Sequence, residues 1–272
     1  MAEDAKEFDL SAAVLNRHLA TRRLGRRFIF AEELESTNLT LHEMGRGGEA
    51  AAPEGVVLVA DSQTGGRGRN GRSWFSPKGC NLYFSVLLRP ECEVAKASQL
   101  SIVAAFAMQR ALSAYSDAVR VKWPNDIWCR GRKMAGILCG MSCMGKMAEY
   151  AVAGIGLNVN LSQFPEGIGG TSLCLECGRT LSRGEVLAGI LNALEEEYDA
   201  WRGMQDLAPW QERWRLISVL EGLPVMVEQG GKCVSGVVDG ISPEGFLRLR
   251  DGGSVHLASV GDAHVLLNKR DS

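Results

Sequence analysis

Three glycines and three arginines fall within seven residues, Gly66-Arg67-Gly68-Arg69-Asn70-Gly71-Arg72. Glycine lets a backbone close around a ligand and present its N–H groups, and guanidinium forks grip phosphate oxygens in pairs. Such a loop suits phosphates and can offset the charge on a phosphoryl group during displacement, as phosphoryl and adenylyl transfer require. Like charges so close repel, so the empty loop is expected to be disordered and to order on an anionic ligand. Gly66, Gly68 and Gly71 also satisfy G-x-G-x-x-G. A dinucleotide fingerprint must open a helix at the pyrophosphate, whereas Ser73-Trp74-Phe75-Ser76-Pro77 leads toward another strand, so that reading fails on context. A solvated basic loop is the bland alternative.

Three other segments could share a site with the loop. Glu35-Ser36-Thr37-Asn38 offers two hydroxyls and an amide after a strand, suited to a neutral polar head group or to capping the next helix. Lys122-Trp123-Pro124-Asn125-Asp126 sets a cation, an aromatic ring, an amide and a carboxylate at a strand end, and Lys133 follows in Arg132-Lys133-Met134-Ala135-Gly136-Ile137-Leu138. Gly154-Ile155-Gly156-Leu157-Asn158-Val159-Asn160 ends an apolar strand with small residues that leave room for a planar ligand. Cys174 and Cys177 have C-x-x-C spacing, but the second pair of ligands that a structural zinc needs is missing. Most of the eight cysteines are read as free thiols, and no structural metal is expected.

The elements that must hold these segments follow from periodicity. Leu10 to Leu24 reads as a short amphipathic helix, Gln99 to Tyr115 as a buried one, and Leu181 to Trp201 as a third, with Ser182 and Glu185 forming a capping box. Val56 to Ala60 and Leu82 to Leu88 are strands that bracket the loop, Val119 to Lys122 is a strand, and Met134 to Met141 with Ala148 to Val159 reads as a hairpin turning at Gly145-Lys146. Beyond Leu220, short alternating runs separated by Gly230-Gly231, Ser242-Pro243-Glu244-Gly245 and Asp251-Gly252-Gly253 predict a small β-barrel packed on the main body. The net charge of -2 gives no global field for nucleic acid, and no stretch approaches the roughly 20 apolar residues of a membrane span. With an acidic N-terminus lacking an apolar signal core, a cytoplasmic location is expected.

From about Arg26 onward, the S-T-N triplet, the Q-x-x-G-R-G-R-x-G-R-x-W-x-S-P loop from Gln63, K-W-P-N-D, R-K-x-A-G-I-L and G-I-G-x-N-x-N together resemble the signature of the biotin protein ligase family. The resemblance implies an α/β (α+β) fold with a mixed, mostly antiparallel sheet covered by helices, as in class II synthetases, and a C-terminal SH3-like β-barrel. It divides the chain into an N-terminal helical extension (1–26), a catalytic biotin- and ATP-binding domain (27–220) and the barrel (221–272). It implies condensation of biotin with Mg-ATP to biotinyl-5′-adenylate, then transfer of biotin to one lysine of a biotin carboxyl carrier protein or domain. Ser36, Thr37, Asn38 and Gln63 would hold the ureido ring, with the backbone of Arg67 and Gly68 closing over it. Arg69 and Lys133 would hold the biotin carboxylate and the α-phosphate, Arg72 the departing phosphates, Trp74 the adenine face and Asn158 its edge. Asn125 and Asp126 would line the same site, Asp126 aiding Mg²⁺ or the incoming lysine.

Departures from the family pattern carry their own expectations. Many members have an N-terminal DNA-binding domain and act as repressors; only about 25 residues precede the matching segment here, so no DNA binding is expected. Asn70 stands where some members have another arginine, and Gly261 to Leu266 lacks the arginine that reaches the nucleotide in several, which puts barrel contact with ATP in doubt. A homodimer is possible. Two competing readings are a lipoate or octanoate ligase or transferase of the same fold, which needs no ureido partners, and a non-enzymatic biotin or nucleotide sensor, for which Arg69 and Lys133 have no use.

Overall fold

The structure, a computed structural model, describes residues 9–229, 231–259 and 261–266. The acidic residues before Asp9 and Gly230 of the expected Gly230-Gly231 turn lie outside the described residues. Strand β3 (Leu82–Leu88) is buried at every position because both faces of its sheet are covered. Leu82, Phe84, Val86 and Leu88 belong to the main core, whereas Leu87 joins Leu41, Leu58, Tyr150 and Val152 in a smaller core on the other face. The sheet also contains β1 (Phe28–Leu34), β2 (Val57–Gln63), β4 (Val119–Lys122), β5 (Asp126–Cys129), β6 (Arg132–Met144) and β7 (Met147–Leu157), in the order β1-β2-β3-β7-β6-β5-β4. Only β1 and β2 run parallel; every other pairing is antiparallel.

The helices are α1 (Ala12–His18), α2 (Thr37–Arg46), α3 (Gly48–Ala51), α4 (Val94–Ala97), α5 (Leu100–Leu112), α6 (Leu173–Cys177), α7 (Arg183–Met204) and α8 (Gln211–Ile217). Helices α5 and α7 pack together over the main core, and α2 packs on β3 and β7 over the smaller one. Ser182 caps α7, its hydroxyl accepting the Glu185 N–H at 3.3 Å. Among the described residues no helix is long and apolar enough to cross a membrane.

The first helix is shorter than its periodicity suggests, because α7 captures the chain after His18. Asn192 accepts the Ala20 N–H and donates to the His18 carbonyl, while the Glu195 carboxylate accepts the N–H groups of Arg22, Arg23 and Leu24. Side-chain acceptors replace helical carbonyls there, and the apolar residues Leu19 and Leu24 are still buried.

The C-terminal region forms a five-stranded antiparallel sheet in the order β11-β10-β9-β8-β12, from β8 (Pro224–Gln229), β9 (Lys232–Ile241), β10 (Leu247–Asp251), β11 (Ser254–Ala258) and β12 (Ala263–Val265). Val225, Val227, Val238, Leu247 and Leu249 belong to the same core as the large sheet, so the small sheet does not stand on a core of its own. Indole Nε1 of Trp123 donates to the Gly245 carbonyl across this junction at 3.2 Å.

A buried ion network ties the start of the chain to α7. Arg183, whose side chain is 4% exposed, pairs with Asp61 at 2.6 Å and Asp9 at 3.2 Å. Removing the guanidinium would leave Asp61 as an uncompensated buried charge. Arg183→Met is therefore expected to lower the unfolding free energy by about 3–5 kcal/mol in urea melts, and a loss under about 1 kcal/mol would show that Asp61 finds other partners.

Candidate active site

The wall of the site is a strip of bare backbone. Gly136, Leu138 and Gly140 on β6 stand opposite Gly156, Gly154 and Val152 on β7, and residues opposite one another or two apart on a strand share a face. That face is the one α2 covers at Tyr150 and Val152. Past Val152 it turns to glycine, and the covering layer gives way to a cavity. A Cβ at Gly154 would stand 2.5 Å from Asn38 Nδ2, and one at Gly156 would stand 2.5 Å from Trp74 Cε2. The missing side chains are what allow Asn38 and the Trp74 indole to lie on the sheet.

The cavity has a volume of about 310 Å³. Ser36, Thr37, Asn38, Gln63, Arg67, Gly68, Arg69, Arg72, Trp74, Asn125, Asp126, Lys133 and Asn158 all line it, so the structure brings together every candidate named from the sequence. Lys122 is turned away, its Nζ 4.4 Å from the centroid of the Trp128 ring.

One end of the cavity is polar and uncharged. Ser36 occupies the N-cap position of α2, yet its hydroxyl caps nothing and has no partner among the described residues, although the residue is 2% exposed. The capping alternative is thus not used. Thr37 donates to Gln63 Oε1 through its N–H at 2.9 Å, and Gln63 Nε2 donates to Ser76 Oγ at 3.1 Å. Asn38 Nδ2 donates to the Leu138 carbonyl at 3.0 Å, which leaves its oxygen available. Behind Asn38, burial and then nearby Arg46 push the His42 imidazole down, which favours its neutral form.

The other end is cationic, and its four cations rest on three carboxylates from separate parts of the chain. Lys133 Nζ lies 2.8 Å from Asp126 and 5.4 Å from the Trp74 ring centroid. Arg67 pairs with Glu35 at 3.1 Å. Arg72 reaches Asp262 of the C-terminal sheet at 3.0 Å, and Arg69 lies 3.7 Å from the same carboxylate while donating to Asn125 Oδ1 at 3.2 Å. The loop itself is a small hairpin: Arg67 bridges to Ser73, the Gly68 N–H donates to the Arg72 carbonyl at 2.7 Å, and Asn70 (φ 54°) with Gly71 (φ 73°) forms the turn. Two successive left-handed residues require this asparagine–glycine pair, and an arginine at position 70 would be less at ease there.

A family model described as the biotin/lipoate A/B protein ligase family matches residues 30–158. The biotin--[acetyl-CoA-carboxylase] ligase of Mycobacterium tuberculosis is 34% identical over 239 residues, covering 84% of this chain and 84% of that protein. The bifunctional ligase/repressor BirA of Bacillus subtilis is 33% identical, covering 88% of this chain and 74% of its own. The chain belongs to this ligase family. The biotin protein ligase of Aquifex aeolicus, solved in complex with biotin and ATP, superposes with a TM-score of 0.76 at 27% identity, covering 89% of this chain and 100% of that one.

Sequence reasoning did not find every residue of this family site. Asp262 belongs to no motif and stands in a stretch marked only by the lack of an arginine, yet it brings a carboxylate into the cavity. Although it has no arginine, the stretch before the last strand reaches the cavity: Gly261 and Asp262 both touch Arg69. Phe164 and Ile168, on the loop after β7, also line the cavity and carry no pattern that separates them from ordinary loop residues. The loop, expected to be disordered when empty, forms a hairpin that turns on Asn70-Gly71, a pair of the type that favours such turns.

The Arg72–Asp262 pair predicts how the loop is held. In the nucleotide-free protein, Asp262→Asn should raise the rate of tryptic cleavage after Arg69 and Arg72 several-fold while leaving the melting temperature nearly unchanged, because a half-exposed pair contributes only about 0–1 kcal/mol. Unchanged cleavage would mean that the hairpin hydrogen bonds alone fix the loop.

Proposed function

We propose that this chain is a biotin protein ligase: it condenses biotin with ATP to biotinyl-5′-adenylate and pyrophosphate, then passes biotin to a lysine of a biotin carboxyl carrier protein or domain, releasing AMP. The observation that carries this reading is the pairing, in one cavity, of a buried uncharged polar end with a cationic end. A ureido ring offers two N–H donors and one carbonyl acceptor. Ser36, Thr37, Asn38 and Gln63 supply complementary groups; Thr37 and Gln63 already bond to each other, whereas the Ser36 hydroxyl and the Asn38 amide oxygen have no partner among the described residues, and leaving these two unpaired against an apolar ligand would cost about 1–3 kcal/mol each. An alkyl or dithiolane chain satisfies none of them, which disfavours a lipoate or octanoate ligase or transferase. A sensor would need no cations at the junction of the two ends.

The chemistry joins two anions. The biotin carboxylate attacks the α-phosphorus, an O–P bond forms, and the bond to the bridging oxygen breaks with its electron pair leaving on pyrophosphate. Arg69 and Lys133 sit where both anions must approach and reduce the repulsion that opposes attack. Arg72 takes the departing phosphates, the backbone of Arg67 and Gly68 closes over biotin, Trp74 offers its face to adenine and Asn158 its amide to the adenine edge. In the second half, the acceptor lysine amine attacks the biotinyl carbonyl, AMP leaves, and the amine's proton must go to a base; Asp126, paired with Lys133, is the adjacent carboxylate. Among the described residues, Asp126 and Asp262 are the carboxylates lining the cavity, and they could help hold a Mg²⁺ that arrives with the nucleotide. When bound, that ion would neutralise the β- and γ-phosphates.

The test is exchange of labelled pyrophosphate into ATP. It should depend on biotin and be absent with lipoate or octanoate; no exchange with biotin would overturn the assignment. Arg69→Gly is expected to let the adenylate escape and biotinylate bystander lysines, read by avidin blotting of an added unrelated protein. Lys133→Ala should slow exchange by roughly 10²-fold or more, as the loss of one charge-stabilising donor does, and Lys122→Ala by no more than a few-fold; equal effects would move the role to Lys122.

A further inference from the structure

One buried carboxylate braces this site from outside it. Glu176, on α6, has a side chain only 2% exposed and lines no part of the cavity. It accepts from Arg132 at 3.0 Å and from the Thr171 hydroxyl, and it forms an ion pair with Arg130 Nε at 3.1 Å. Burial by itself would push its carboxyl up, but the Thr171 hydroxyl, the Cys129 thiol, Arg132 and Arg130 outweigh burial and hold it below the ordinary range.

Its partners lead to two ligand-facing residues by short routes. Arg130 and Arg132 flank the tight turn at Gly131 between β5 and β6, whose arms carry Asp126 and Lys133. Thr171, fully buried, donates its N–H to the Lys133 carbonyl at 2.9 Å and accepts Asn158 Nδ2 on its own carbonyl at 3.1 Å. One carboxylate thus fastens the β5–β6 turn to the loop that returns from β7, and both attachments end beside the nucleotide half of the cavity. The polar end, built on β1, α2 and β2, shares none of these bonds.

We infer that Glu176 is a positioning residue for the nucleotide: through Thr171 it fixes Asn158, which faces the nucleotide alone, and so sets affinity for ATP far more than affinity for biotin, whereas its hold on Lys133, which serves both ligands, reaches only that residue's backbone. The inference rests on the biotin ligase reading for the identity of the two ligands.

The experiment compares Glu176→Ala, Glu176→Gln, Thr171→Val, Thr171→Ser and the Glu176→Ala/Thr171→Val pair in the full chain, with melting temperature as a control for folding. Pyrophosphate exchange gives KM for ATP and for biotin. Glu176→Ala should raise KM for ATP about tenfold or more, the effect of losing about 1.4 kcal/mol, with KM for biotin changed less than twofold. Thr171→Val should reproduce part of that rise, and Thr171→Ser, which keeps the hydroxyl, should restore it. Because the two residues act in one chain, the double variant should be no worse than Glu176→Ala. Glu176→Gln should fall between, since an amide oxygen still accepts from Thr171 but cannot balance two arginines. Equal rises in both KM values, a full additive effect in the double variant, or unchanged KM for ATP would overturn the inference. If Glu176→Ala does not fold, the Thr171→Val and Thr171→Ser pair decides it alone. Binding of an ATP analogue with a methylene bridge between the α- and β-phosphates, titrated into the same variants, separates the two claims. Wild-type protein that binds the analogue but shows no exchange refutes the ligase reading, whereas variants that bind it as wild type refute the role of Glu176.

Discussion

Four cations surround one cavity, and the folded chain must hold them there before any anion arrives. Two unit charges about 5 Å apart repel by about 3 kcal/mol at an effective dielectric of ~20, so a bare cluster of this kind would push its own loop apart. Arg67, Arg69, Arg72 and Lys133 are instead parked on Glu35, Asp262 and Asp126. Those carboxylates come from the end of β1, the small C-terminal sheet and β5. Much of the architecture follows from this constraint. The parallel β1–β2 pair sets Glu35 beside the glycine–arginine hairpin, the β5–β6 turn sets Asp126 beside Lys133, and the second sheet has to share the main core to bring Asp262 within reach. Among the described residues, four cations against three carboxylates leave the cavity with an excess of positive charge, which suits a ligand that is itself anionic.

The second requirement is space without loss of rigidity. A sheet covered on both faces is a stiff support, and removing side chains at Gly136, Gly154 and Gly156 opens a ligand-sized volume without breaking the hydrogen-bond ladder beneath it. The same strands place their alternate residues, Ile137, Ile155 and Leu157, in the main core. Two strands therefore serve as core on one face and as binding wall on the other. Chemistry that joins two anions gains from such a support, because the reacting groups must be held close against their own repulsion.

Much of this was legible in the sequence, and unevenly so. Strands β3 and β4 were legible to the residue, and α7 with its Ser182 cap nearly so, because apolar runs and capping residues act locally. The thirteen candidate residues sit in short motifs whose residue types are rare in ordinary scaffolding, and one cavity collects them. What was not legible depends on distant partners. Helix α1 stops early because Glu195, more than 170 positions away, takes the N–H groups of Arg22 to Leu24. Asp262 and Glu176 look like ordinary acidic residues until the fold sets one on Arg72 and buries the other between Arg130, Arg132 and Thr171. Motifs carry the groups that line the cavity, whereas the groups that hold those motifs in place are spread through the chain.

The central claim is that one cavity activates biotin and retains the product until an acceptor arrives. The most direct measurement mixes the protein with biotin and ATP labelled in the α-phosphate, with no carrier domain present, and then isolates the protein rapidly. The account predicts close to one labelled equivalent bound per chain, dependent on biotin, and discharged as AMP when a carrier domain with a free lysine is added while its mass rises by one biotinyl group. Label that binds equally well without biotin, or that stays on the protein when the carrier is added, would contradict it.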